Sequence, residues 1–184
     1  MNIIYIISGI IVVIALWIIL TFNRLITLKN RVKEAWADIE VQLKRRYDLI
    51  PNLMETVRGY AAHEREVLEN VTKARVIAMG AKTTKERGEA ENMLGSALKS
   101  LFAVAENYPQ LRASENFQKL QDELTDTEDK IQASRRFYNT NVRDFNTKIE
   151  VFPASIIAKN FGFKEAEFFE LEEAEAKEPV AVKF

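Results

Sequence analysis

Hydrophobic and polar positions follow two different patterns along this chain. From Ile3 to Leu20 the sequence is apolar all round, and the uncharged stretch runs from the start of the chain to Asn23 before Arg24 ends it. About 20 apolar residues at ~1.5 Å rise cross a hydrocarbon core of ~30 Å, so Ile3, Ile10, Trp17 and Leu20 are read as lying within one membrane span. A lone strand would leave its amides without partners in lipid, which favours a helix despite the Ile and Val content. No basic residue precedes the run and no small-x-small cleavage site follows it. It is therefore expected to be a retained signal anchor, not a removed leader.

Beyond Asn23 the pattern becomes amphipathic. Trp36, Ile39, Leu43, Arg46, Ile50, Leu53, Val57 and Tyr60 recur in alternating steps of three and four, a heptad seam with one charged member, Arg46. No Gly interrupts the chain between Phe22 and Arg58, which predicts one rod from the membrane into a soluble domain, kinked but not broken at Pro51. The helix should end at Gly59-Tyr60-Ala61-Ala62-His63-Glu64. A second helix is expected over Glu66–Met79, with Gly80 as its C-terminal cap. Thr83 and Glu86 have capping-box spacing and open a third helix, which Tyr108-Pro109 stops. A last long helix starts near Ser114 and carries Phe117, Leu120, Leu124, Thr127, Ile131, Ser134, Tyr138, Val142, Phe145 and Ile149 on one face. Pro153 ends it, and a short helix, Ala154 to Asn160, precedes Gly162.

The fold class is thus all-α: a transmembrane helix continuing into an antiparallel up-down four-helix bundle, with a short C-terminal helix. Fusing the second and third helices across Gly80 to Thr83 gives an alternative of three long helices. The domain reading is 1–23 anchor, 24–163 bundle and 164–184 acidic, partly disordered tail. Trp36, Leu43, Leu101, Phe102, Leu124 and Ile131 are the expected core.

Charge and composition narrow the chemistry. Lys and Arg total 26 against 27 Asp and Glu, so net charge points to no polyanion such as nucleic acid. Cysteine is absent and His63 is the single histidine. Zinc needs at least three protein ligands and a di-iron bundle a Glu-x-x-His from each of two helices, so no metal or cofactor is expected, and His63 is read as a local helix-end residue. No phosphate loop, nucleophile elbow or base-activated Ser is present, and no small-molecule substrate is evident. Lys44, Arg45 and Arg46, with Asp48, form the densest basic spot. About 30 Å of helix separates it from the span, too far for lipid electrostatics, so Arg46 is expected to pair with an acid of the last long helix. Arg24, Lys29, Arg31 and Lys33 follow the span and place the domain in the cytoplasm by the positive-inside rule, the opposite topology being the alternative.

Several stretches resemble the LemA family: Ala35-Trp36-Ala37-Asp38-Ile39-Glu40-Val41-Gln42-Leu43-Lys44-Arg45-Arg46-Tyr47-Asp48-Leu49-Ile50-Pro51-Asn52-Leu53, Gly59 to Glu64, Leu101 to Pro109, Phe117 to Gln121, Thr127-Glu128, Phe137-Tyr138-Asn139 and Phe152-Pro153. The similarity runs from Leu25 to Phe169. It implies a prokaryotic single-span protein with a helical bundle, no assigned enzymatic activity or cofactor, and no catalytic residue to carry over. A branch of the family contributes to membrane organisation in magnetosomes, which favours a structural role.

Together these observations predict a non-enzymatic scaffold or adaptor of the cell membrane, held in the bilayer by its first helix and partnered by copies of itself and other membrane proteins. A ligand receptor or enzyme using polar residues inside the bundle is the alternative. Phe161, Phe163, Phe168 and Phe169 follow the last helix and have three candidate roles: capping the bundle, lying on lipid, or joining protomers. Glu165, Glu167, Glu170, Glu172 and Glu173 speak against lipid, so protomer contact is preferred.

Overall fold

A computed structural model describes residues 2–170 of the protein. These residues form six helices and no strand: α1 (Asn2–Tyr60), α2 (Arg65–Gly80), α3 (Thr84–Ala105), α4 (Pro109–Arg112), α5 (Glu115–Glu150) and α6 (Ala154–Asn160). The expected disorder from Leu171 onward lies outside the described residues. The chain divides into two compact units. Among the described residues, one holds those up to Glu40 together with Gln132–Phe168, and the other holds Val41–Ile131 together with Phe169 and Glu170.

α1 passes through Pro51 without a break. Its buried stripe is Leu25, Leu28, Val32, Ala35, Ile39, Leu43, Arg46, Ile50, Leu53 and Val57, every step three or four residues. Ala35 thus holds the seam position expected for Trp36, and Trp36 is only half-buried. Ala35 is fully buried in the stripe, and the indole of Trp36, about 100° further round the helix, takes its margin. There it packs on Tyr138 with ring centroids 5.2 Å apart. Phe102 is half-buried as well, beside the fully buried Leu101. Trp36→Ala should therefore cost about 2 kcal/mol in denaturant unfolding, less than the ~3–5 kcal/mol of a fully buried aromatic.

In the unit that contains the N-terminal stretch, Tyr138, Val142, Phe145 and Ile149 of α5 supply the second buried stripe. α5 ends at Glu150, the Phe152–Pro153 bond is cis, and α6 opens directly after it with Ala154, Ile157 and Ala158 buried. Gly162 has a φ of 70°, a left-handed conformation that glycine adopts without a Cβ penalty.

In the other unit, α2 and α3 pack on each other across the short connection 81–83. The two helices are separate elements and are not fused across Gly80 to Thr83. Gly80 is not the left-handed cap expected of it: it is the last residue of α2, and extended Ala81 turns the chain. What opens α3 is the capping box. Thr83 accepts from the Glu86 N–H at 3.1 Å, while the Glu86 carboxylate accepts from the backbone N–H groups of Thr83 and Lys82 at 3.2 and 3.0 Å. Those two N–H bonds hold the exposed Glu86 carboxyl below its usual range. Thr83→Ala should cost about 1 kcal/mol, measured as a shift in the denaturant midpoint at constant slope.

Candidate functional site

The three basic residues adjacent in sequence separate in space, because successive positions on a helix point about 100° apart. Lys44 is exposed and pairs with Asp48 one turn on, at 2.8 Å. Arg45 reaches Asp126 of α5 at 3.1 Å. Lys130, 2.7 Å from the same carboxylate, is the main reason that the exposed Asp126 sits below its usual pKa. Arg46 turns inward between Leu43 and Ile50. Its Nη1 lies 3.0 Å from Glu128 Oε2 of α5 and 3.2 Å from Glu91 Oε2 of α3.

Glu91 is the feature that sequence reasoning missed. It is as buried as the leucines of its own helix, and its other carboxylate oxygen accepts the Tyr47 hydroxyl. Burial pushes the Glu91 carboxyl up from its usual 4.5, against the opposing pull of Arg46 and of the Tyr47 hydrogen bond. Burial and the Glu91 charge together push the Tyr47 phenol far up, so it keeps its proton as donor. A signal was present: Glu91, Leu94, Leu98 and Leu101 recur in steps of three, four and three, which makes Glu91 a charged seam member of α3 as Arg46 is of α1.

Pro51 completes this neighbourhood through what it lacks. With no N–H, it cannot bond the carbonyl four residues back, that of Tyr47. Arg75 of α2 donates its Nε–H to that carbonyl at 2.8 Å. The opening in the α1 ladder is thus filled from another helix, giving this partly buried carbonyl the partner it needs. Among the described residues no buried side-chain polar atom lacks a partner. Beside the cluster, Val41, Lys44, Arg45, Asp48 and Glu123 border an open groove of about 500 Å³.

His63 lies exposed in the turn between α1 and α2. Its neighbour Glu64 accepts the Tyr108 hydroxyl at 2.9 Å, which raises the tyrosine pKa. No group of three or more His, Cys, Asp or Glu among the described residues is placed to hold a metal ion.

The aromatic residues expected to act together go to different places. Phe161 and Phe163 stand on Phe22, at ring-centroid distances of 4.8 and 6.0 Å. Phe163 also meets Phe145 at 6.3 Å and lies under Lys29 Nζ at 5.8 Å. Phe168 is exposed, whereas Phe169 is fully buried in the other unit, against Gly88. Ile3, Ile10, Trp17 and Leu20 are exposed on a stretch of α1 long and apolar enough to cross a membrane.

The family model of LemA matches residues 35–184. The chain belongs to the LemA family. Among curated relatives, it is 24% identical to magnetosome protein MamQ 2 of Paramagnetospirillum magneticum and 23% identical to magnetosome protein MamQ of Magnetospirillum gryphiswaldense, with 83% of this chain covered in each case. These matches span 66% and 65% of the two MamQ chains, just under two thirds of their length. It is 28% identical to protein LemA of Metamycoplasma hominis, over 83% of this chain and 70% of that one. The Arg46–Glu91–Tyr47 cluster lies inside the stretch that the LemA family model covers.

Proposed function

We propose that this LemA family protein is a membrane-anchored, non-enzymatic helical scaffold or adaptor of the cell membrane. One observation carries the reading: the apolar side chains from Ile3 to Leu20 are left uncovered by the described residues, on the same continuous helix that supplies the core stripe from Leu25 on. Uncovered apolar side chains along five turns of helix need a lipid environment. The basic flank of Arg24, Lys29, Arg31 and Lys33 supports a cytoplasmic domain. The buried charges support a structural role for the cluster, because Arg46, Glu91, Glu128 and Tyr47 satisfy one another. Copies of the chain and other membrane proteins are the partners this reading calls for.

The test is crosslinking in the native membrane, with the full chain compared against a chain lacking residues 1–23. The full chain should stay in the membrane pellet through alkaline carbonate and yield discrete crosslinked species that the truncated chain loses. Carbonate-extractable full chain, or a membrane-bound chain that crosslinks to nothing, would count against the reading.

A further inference from the structure

We propose that the Val151–Phe152 corner and α6 form a second membrane contact, lying in the headgroup region of the bilayer beside the point where α1 emerges. The inference rests on the reading of residues 1–23 as a membrane anchor.

The geometry starts from Phe22. It belongs to the uncharged run, one residue before Asn23 closes it, so it marks the boundary between hydrocarbon and headgroups. Packing of the domain reaches up to that level: Leu20 is exposed, Thr21 is buried, and Phe161 stacks on Phe22 at 4.8 Å. Phe161 follows α6 directly, and α6 is only seven residues long, about 10 Å by helix rise. The corner and the short helix are therefore within a helix length of the bilayer surface.

What they expose is apolar. Phe152 is 81% exposed, Ile156 53% and Phe161 58%, while Ala154, Ile157 and Ala158 fill the inner face. Phe152 stands in the turn just before α6 and Ile156 within it, and both side chains are open to the surroundings. Lys148, Lys159 and Lys164 flank this stretch against a single acid, Glu150. Large apolar groups edged by lysines are the composition of an interfacial helix, with the lysine stems lying along the boundary.

Glu167, one of the acids that argue against lipid, lies away from this level. After Gly162 the chain turns back along α5: Ala166 exchanges two hydrogen bonds with Asn146, both 2.9 Å, and the Glu167 carbonyl accepts the Tyr138 hydroxyl at 2.8 Å. Tyr138 packs on Trp36, which is 14 residues and about 21 Å along α1 from Phe22. That exceeds a Debye length of ~8–10 Å, so Glu167 scarcely feels a lipid surface at the level of Phe22. Lipid is favoured over a second protomer as occupant, because the patch adjoins the membrane span itself.

The absence of native cysteine permits a direct test. Phe152→Cys, Ile156→Cys, Val12→Cys and Val76→Cys are labelled singly with an environment-sensitive fluorophore. The full chain is then reconstituted in phosphatidylcholine–phosphatidylglycerol vesicles with nitroxide lipids. All four native side chains are exposed, and a melt of each variant should match the parent chain. Labels at 152 and 156 should shift to the blue and lose fluorescence most strongly to a nitroxide near the headgroups. The label at 12 should respond most to a nitroxide deep in the acyl chains, and the label at 76 to neither. Labels at 152 and 156 that report water while position 12 is quenched would overturn the inference and leave the anchor standing. A blue shift without nitroxide quenching would mean that a second copy covers the patch, and would also overturn it. An unquenched label at 12 would remove the anchor, and this contact with it.

Discussion

Arg46→Met is expected to cost the full-length protein about 3–5 kcal/mol at neutral pH, because it leaves Glu91 as a buried charge without its ion-pair partner. Glu128 is the lesser casualty, since its half-exposed carboxylate returns to water. The pH dependence follows from Glu91. Its folded-state pKa is already raised above 4.5, so the folded protein binds this proton more readily than the unfolded chain does. The Glu91 contribution is therefore full at pH below 4.5 and declines as pH rises through the raised value. Losing Arg46 removes the main influence holding that pKa down, so the Arg46→Met deficit should shrink on acidification. Asp126 and Glu86, with lowered pKa values, lose their contributions as pH falls, and Glu91→Gln separates the two trends. It should gain stability relative to the parent chain as pH rises from about 4.5. Combining Arg46→Met with Glu91→Gln should recover most of the single-mutant loss, because a neutral amide still accepts the Tyr47 hydroxyl and no charge is stranded. Urea unfolding in detergent at several pH values reads all three. A deficit within ~0.5 kcal/mol for Arg46→Met, typical of a surface change, would show that the cluster is wet.

Phe169→Ala should be nearly as damaging, at about 3–5 kcal/mol, since this ring is fully buried and the glycine beside it has no side chain to refill the space. Its seat depends on Gly88. A Cβ built on Gly88 meets the Glu170 carbonyl oxygen at 2.5 Å and the Phe169 ring at 3.8 Å. The nearer atom is backbone, which a rotamer change cannot move, so Gly88→Val must displace the chain at Phe169–Glu170 and should cost about 1–3 kcal/mol. The two substitutions release the same docked segment, so the double variant should cost clearly less than their sum. Additive losses would mean that the glycine and the ring are not coupled. By contrast, Phe168→Ala should be close to neutral, as this ring, next to Phe169 in sequence, is exposed.

Much of this protein was legible in its sequence because helix periodicity is local. The uncharged run ending at Arg24, the three-and-four seams of α1 and α5, the Thr83–Glu86 capping box and the stop at Pro153 each depend on residues within two turns of one another. Even the odd member of the α1 seam pointed inward: Arg46 stands among apolar positions, and a buried cation requires an acid. Which acid it finds depends on the facing of three helices. Glu128 of the last long helix fits the expected partner, but Glu91 of α3 is the more deeply buried one, and only packing brings it there. The same holds for Arg75, which donates to the carbonyl that Pro51 leaves open at Tyr47, 28 residues earlier in the chain. Trp36 shows the limit from the other side. The seam spacing is satisfied equally by Ala35, and only the space between packed helices decides that the smaller residue goes inside. The C-terminal aromatics divide for the same reason: Phe161 meets Phe22 and Phe169 fills the space over Gly88, though eight residues separate them. Periodicity along one helix determines which face is buried. What that face is buried against is decided by the tertiary structure, because it is set by chain segments far apart in sequence.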